Sequence, residues 1–368
     1  MKGFVALSIA LLLCAPMLLP VNAQEFVPAP APLPQELRDY YWSLRTENNY
    51  WATSLLAGIS LSPSIIMKYG LFSPYDEFQW LKFAIDHDAG LLDTETSEMA
   101  ADYLRENVID PIMKYKAVKM QNGHIVTEDE IKAKYANMNL TEEKMDRLVL
   151  AELLFLYVRD YVYFPPGKAP DNDRYAEYAA GSRLPVMAAM GLPYVLEFPT
   201  EAVSTQQAIC WQQATALATL YKMTGYDFAL YLVPAAPFNP LTLIPCCWLL
   251  GMFPYPLGAY HGVVMLKDEW GLDAPHMTLE KDSMGNPLGG EYLMLDPMYD
   301  YIRATQGTPM ASLAGAGQNQ NVETLEQMDA LTGVYGFLEP SPYVTQMMIW
   351  HTIIDILPLI NTKFVGKV

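Results

Sequence analysis

Apolar and polar positions alternate with two different periods along this chain. In the first half the apolar positions recur at helical spacing, most clearly over residues 76–85 and 97–112. The strongest helix prediction covers residues 141–163, where Thr141 can cap the first turn and a broad apolar face follows. Residues 115–126 alternate instead around Asn122-Gly123, which predicts a β-hairpin. Residues 35–140 are therefore predicted to form a mainly helical N-terminal region.

From residue 226 onward the pattern is that of strands, predicted over residues 226–233, 259–267 and 291–296. Between the first two lies an apolar insertion, residues 234–257, whose prolines forbid a continuous helix and predict a loop. The apolar stretch 344–360 contains His351, Asp355 and Pro358 and predicts a docked helix, with membrane contact as the alternative. The expected fold is α+β, with a C-terminal helical extension over residues 306–368.

The first residues have the pattern of a secretory signal. Lys2 precedes an apolar stretch over residues 4–19, and small residues at 21–23 provide a cleavage point, so residues 1–23 are predicted to be a signal peptide. The Pro-rich residues 24–34 are predicted to be an extended spacer. The protein is then expected to be secreted, at the cell surface or periplasmic. The alternative is that the apolar stretch remains as an uncleaved anchor.

Composition excludes two classes of protein. Of the 368 residues, 52% are hydrophobic and only 17% are charged, which is unlike an intrinsically disordered chain. The 41 acidic side chains outnumber the 23 basic ones, for a net charge of −18, and no basic cluster is available for nucleic acid. Composition leaves an acidic globular protein without indicating its chemistry.

The cysteines supply the first chemical signal. Removal of the signal peptide takes Cys14 with it and leaves Cys210, Cys246 and Cys247, an odd number. Cys246 and Cys247 are expected to be two buried thiols or a disulfide, because no further ligand for a metal lies at suitable spacing nearby. No cofactor or metal is therefore expected.

Cys210 is predicted to begin a helix that ends at Gly225, before the first of the strands. The free backbone N–H groups and the positive end of the helix dipole at such a position lower the pKa of a thiol and favour the nucleophilic thiolate. Taken alone, Cys210 would more often be a buried structural cysteine.

His261 and Asp296 change that interpretation. His261 opens the second predicted strand and Asp296 closes the third, so helix start and strand ends can meet at one edge of a sheet. A thiolate nucleophile needs a base that takes and returns its proton, and an acceptor that orients the base. His276 is a rival for the base, but it lies in the predicted insertion over residues 270–290 rather than at the start of a strand.

The order Cys210-Trp211, His261 and Asp296-Pro297 resembles the transglutaminase-like superfamily, a branch of the papain-like cysteine-enzyme fold, over roughly residues 141–305. The resemblance implies a helix bearing the cysteine packed on an antiparallel sheet, with the three residues as a catalytic triad. It also implies an oxyanion site built from the Cys210 N–H and an upstream side chain, for which Gln206 and Gln207 are the candidates. Ala208 departs from the family pattern, which often has glycine there.

These expectations converge on a secreted cysteine protease or amidase that cleaves or exchanges peptide or amide bonds through a thioester on Cys210. We expect hydrolysis rather than transamidation, because no amine-acceptor site is recognisable. The expected substrates are peptides, proteins or cell-envelope material, and residues 234–257 or 344–360 are candidate membrane-surface contacts. The alternative is a non-catalytic binding module of the same fold, acting at the cell surface or on a protein partner.

Overall fold

A computed structural model describes residues 25–47, 74–121, 123–162, 198–208, 210–234, 260–274, 276–297, 337–338 and 364–368. The predictions for the signal peptide, for Cys246 and Cys247, and for residues 344–360 lie outside the described residues. So does the insertion after Pro234. No helix among the described residues is both long enough and apolar enough to cross a membrane.

The described residues of the N-terminal region are mostly helical, and the helices predicted over residues 76–85 and 97–112 are present. Its helices are α1 (Gln35–Glu47), α2 (Pro74–Asp88), α3 (Glu95–Leu104), α4 (Asp110–Tyr115) and α5 (Glu128–Lys134), and a π-helical turn, Arg105–Ile109, joins α3 to α4. Thr94 and Thr127 cap α3 and α5 by accepting a hydrogen bond from a backbone N–H of the first turn. The predicted hairpin is present as β1 (Ala117–Lys119) and β2 (Ile125–Thr127), paired antiparallel.

Three further helices lead to the candidate site. Helix α6 (Glu142–Tyr161) matches the strongest helix prediction, and the Thr141 side chain caps it by accepting from the N–H of Lys144. From Leu148 onward its side chains are almost all buried, so α6 crosses the interior of the described structure. Helices α7 (Pro199–Thr205) and α8 (Cys210–Met223) follow.

The strands of the second half form one five-stranded antiparallel sheet in the order β5-β6-β4-β3-β7. Its members are β3 (Phe228–Pro234), β4 (Tyr260–Lys267), β5 (His276–Thr278), β6 (Glu291–Leu295) and β7 (Phe364–Lys367). The three predicted strands correspond to β3, β4 and β6. The C-terminal extension is expected to be helical, and this is wrong for residues 364–367, which pair with β3 as an edge strand.

One face of the sheet packs on the helices. Alternate residues of β3, β4 and β6, among them Leu230, Val264 and Leu295, join the buried cluster that also contains Leu217 of α8 and Leu154 of α6. The described structure is therefore α+β, as predicted from helices in the first half of the chain and strands in the second.

The Pro-rich residues 25–34, called here the N-terminal segment, are extended but are not a free spacer. Val27 and Leu33 are buried. The Val27 N–H donates to the Ala117 carbonyl at 3.0 Å, and the Leu33 N–H donates to Ser204 Oγ at 2.8 Å. Proline prevents regular structure but not packing, so this segment docks against β1 and α7.

Candidate active site

The connection between α7 and α8 delivers Cys210 to the start of a helix. Gln206 ends α7 in the left-handed conformation, with φ of 56°, and so turns the chain away from the helix axis. Thr205 Oγ1 donates to the Glu201 carbonyl at 2.9 Å, within the last turn of α7. Cys210 is then the first residue of the 14-residue helix α8, as predicted. Its side chain lies outside the described part of the structure.

The first turn of α8 touches the start of β4. A Cβ atom added to Gly262 would lie 2.9 Å from both Cα and Cβ of Trp211 and 3.6 Å from Cβ of Ala214. Cys210 immediately precedes Trp211, and His261 immediately precedes Gly262. Because successive Cα atoms are about 3.8 Å apart, the Cα atoms of Cys210 and His261 are separated by no more than about 12 Å. The backbone therefore places the first turn of α8, which carries Cys210, beside the start of β4, which carries His261.

The strand register brings His261 and Asp296 together as well. The last pair of β4 with β6 is Val264 opposite Leu295, and Asp296 follows directly, so continuing this register by one position would set Asp296 opposite Val263. His261 is two residues from Val263 and shares its face of the sheet. Such diagonal positions are about 7–8 Å apart, within reach of a histidine and a carboxylate. Asp296 is buried, whereas the His261 side chain lies outside the described part of the structure.

The alternation of side chains along β4 also determines on which face of the sheet these positions lie. Gly262 faces α8, so His261 and Asp296 belong to the other face of the sheet. The approach of α8 to β4 therefore lies on the face of the sheet opposite to the one that these two positions share.

The two glutamines considered for the oxyanion site differ in what they contact. Gln206 Nε2 donates to the Tyr161 carbonyl at 3.4 Å, which ties the α7–α8 connection to the end of α6. Gln207 is fully buried, and its carbonyl accepts a hydrogen bond from Thr205 Oγ1 at 3.2 Å. The Gln206 amide is therefore directed toward the end of α6, whereas Gln207 is enclosed within the connection between α7 and α8.

Gln213, for which the sequence pattern predicts no role, fixes the first turn of α8. It is fully buried, and its Nε2 donates to the Val162 carbonyl at the end of α6. The sequence signals this role only through the place of Gln213 shortly after Cys210, on the same side of α8 as apolar residues.

Asp88, also missed, fixes the start of α7. Its Oδ2 accepts hydrogen bonds from the N–H and the hydroxyl of Thr200, both at 2.8 Å. Its Oδ1 accepts a hydrogen bond from the Tyr41 hydroxyl at 2.8 Å and lies 2.7 Å from His87 Nδ1. Burial, reinforced by the charge of Asp88, raises the pKa of Tyr41 well above its usual value, so the phenol stays protonated and donates. The N-terminal region therefore helps to position the candidate site.

His276, the rival base, is the first residue of β5, so the prediction that it does not begin a strand is wrong. Its side chain is nevertheless bound away from Cys210. Its Nε2 lies 2.9 Å from Asp268 Oδ2, and Asp268 directly follows the last residue of β4. At about 3.3 Å per residue, that end of β4 is about 20 Å from His261 and from the start of α8. His276 therefore supports the β4–β5 connection and is remote from Cys210.

Among the described residues, no group of three His, Cys, Asp or Glu side chains is arranged to hold a metal ion. Comparison of the chain with protein-family models, with curated proteins and with solved structures finds no match.

Proposed function

We propose that this protein is a cysteine-dependent acyl-transfer enzyme with a transglutaminase-like, papain-like core, in which Cys210 is the nucleophile. The observation that carries the proposal is the close approach of Trp211 and Gly262, because it brings Cys210 at a helix start near His261 at a strand start. Asp296, buried one position beyond β6 and on the face of His261, is the residue that would orient the base.

In the proposed reaction the Cys210 thiolate attacks the carbonyl carbon of an amide. The C–S bond forms as the carbonyl electrons move to oxygen, and the N–H of Cys210 with the side chain of Gln206 or Gln207 would stabilise this oxyanion. His261, protonated by the thiol, gives its proton to the amine as the C–N bond breaks. Water then attacks the thioester, releases the carboxylic acid and returns the thiol.

Hydrolysis is the proposed outcome, on peptides, proteins or cell-envelope amides. The predicted signal peptide would take the enzyme to such substrates outside the cytoplasm. A thiolate held at a helix start is nucleophilic at neutral pH, which suits this chemistry without a cofactor.

The test is the rate at which iodoacetamide alkylates Cys210 between pH 4 and pH 9, read by mass spectrometry of the Cys210 peptide, with glutathione as the reference thiol. We expect Cys210 to react faster than glutathione below pH 7 and His261→Gln to abolish that advantage. We also expect Cys210→Ala to abolish hydrolysis of peptide amides by the full chain. A folded protein whose Cys210 reacts no faster than glutathione would contradict the proposal and favour the non-catalytic binding module.

A further inference from the structure

Resting on the proposed function, we infer that Gly262 is a positioning residue for catalysis: the missing side chain lets the start of α8 approach β4 closely, and so sets the distance between the backbone of Cys210 and the start of β4, which carries His261. It touches neither substrate nor reacting atoms. It acts through the backbone that carries Cys210.

The contact leaves no room for a methyl group. A Cβ at Gly262 would lie 2.9 Å from Cα and Cβ of Trp211, whereas 3.4–4 Å is ordinary van der Waals contact. Cα of Trp211 is backbone, so no change of rotamer can relieve the overlap. Gly262→Ala must therefore shift either β4 or the first turn of α8.

Strand β4 is the less movable of the two. Gly262 is paired with Leu232 of β3 within a continuous ladder, and from Val264 onward β4 is also paired with β6 on its other side. The start of α8 is held by the Gln213 side chain on the Val162 carbonyl. The displacement would therefore fall on the first turn of α8, whose first residue is the nucleophile.

The role of Gly262 is close approach rather than backbone freedom. Glycines with positive φ are found elsewhere in the described residues, at Gly225 and Gly271 among others, but Gly262 is not one of them. Alanine can thus adopt the backbone conformation of Gly262, and any effect of Gly262→Ala reports on the contact with α8.

Gly366 offers a matched control in the same sheet. A Cβ there would overlap the rings of Phe78 and Phe364, and Gly366 likewise lacks a positive φ. It lies on the edge strand β7, which β3 separates from β4. Gly366→Ala therefore adds the same methyl group and strains the same sheet at a distance from the contact between Gly262 and Trp211.

The experiment compares wild type, Gly262→Ala and Gly366→Ala as full chains, by the pH dependence of Cys210 alkylation and by urea unfolding. For Gly262→Ala we expect a higher thiol pKa and an alkylation rate at pH 6 about 10- to 100-fold lower, because a displacement near 1 Å costs reactivity on that order. With a peptide amide, kcat should fall while KM stays unchanged. Gly366→Ala should stay within about twofold of wild type even where it is equally destabilised.

A second pair keeps the inference testable if Gly262→Ala does not fold. Ala214→Gly removes a Cβ that lies 3.6 Å from the added methyl group, in ordinary contact, and so gives that methyl group room to move away from Trp211. Ala214→Gly alone and together with Gly262→Ala therefore allow the same comparison with more space beside the added methyl group. Partial recovery of Cys210 reactivity in the double variant is expected. Wild-type reactivity of Cys210 in both variants that carry Gly262→Ala would overturn the role of Gly262 and leave the proposed function intact. An unreactive Cys210 in the wild type would overturn both.

Discussion

Asp88 holds Thr200 across 112 positions of sequence, through two hydrogen bonds of 2.8 Å to its N–H and its hydroxyl. Asp88 ends α2 in the N-terminal region, and Thr200 lies in the first turn of α7, the helix before Cys210. The two regions distinguished in the sequence therefore share one buried polar network in the structure.

Asp88→Ala should destabilise the protein strongly. It removes the buried acceptor of the Thr200 N–H and of the Thr200 and Tyr41 hydroxyl groups, which costs about 3–5 kcal/mol in the free energy of unfolding. Urea unfolding of both proteins measures this difference. Asp93→Ala, at an exposed position, is the control and should change the free energy by less than about 0.5 kcal/mol. Equal small effects of both substitutions would contradict the importance of the network.

A second prediction compares a buried with an exposed ion pair. Arg159 and Asp160 are both buried, with Arg159 Nε donating to Asp160 Oδ2 at 2.8 Å. Asp160→Ala leaves a buried guanidinium without this partner and should cost about 3–5 kcal/mol in unfolding free energy. Arg105 and Asp102 form a pair at 3.0 Å on the surface, and Asp102→Ala should cost at most about 1 kcal/mol. Denaturant unfolding that ranks the two variants in the opposite order would refute this contrast.

The third prediction concerns pH. Burial raises the pKa of Asp227, but hydrogen bonds from Lys367 and Lys267 outweigh it and lower the pKa below its usual 3.8. A carboxyl group with a lowered pKa in the folded state stabilises the protein above its unfolded pKa, and this contribution is lost as the pH falls through the folded pKa. Wild type should therefore be more stable than Asp227→Asn at pH 7, and the difference in melting temperature should shrink once the pH falls below that usual value. A difference that stays constant as the solution is acidified would contradict the assignment.

The fourth prediction concerns the docked N-terminal segment. Leu33 is buried beside α7, and Leu33→Ala should lower the free energy of unfolding by about 2–4 kcal/mol because it leaves a cavity. Ala29→Ser, at an exposed position of the same segment, should change it by less than about 0.5 kcal/mol. Urea unfolding checks both, and a Leu33→Ala effect as small as that of Ala29→Ser would mean that the segment is not docked in solution.

Local patterns predict those parts of the fold that local forces determine. The prediction for α6 agrees closely with the observed helix, because Thr141 caps it and a dense apolar face follows. Strand β7 is missed, since a short strand with a glycine shows no periodic pattern and its pairing partner is distant. The packing of the N-terminal segment is also missed, because proline predicts an extended chain both for a packed segment and for a free spacer.

The residues of the candidate site also divide into those that the sequence predicts and those that it does not. Cys210, His261 and Asp296 can be selected because their chemistry and order are visible in the sequence. Gly262 and Gln213 cannot, because a glycine at a close approach and a glutamine on a buried carbonyl acquire their roles only from a neighbouring element. Positions that support the site are defined by tertiary contact rather than by residue type.

The pairing of β7 with β3 also has a kinetic consequence. Ala229 of β3 pairs with Lys367 of β7, which lies far along the sequence. The other neighbour of β3 in the sheet is β4, which follows β3 after a much shorter stretch of chain. Contacts between such distant residues form slowly, because a long loop must close first. Until β7 arrives, β3 is an open edge that can pair with another chain. Covering this edge of the sheet against other chains therefore depends on a pairing between distant parts of the sequence.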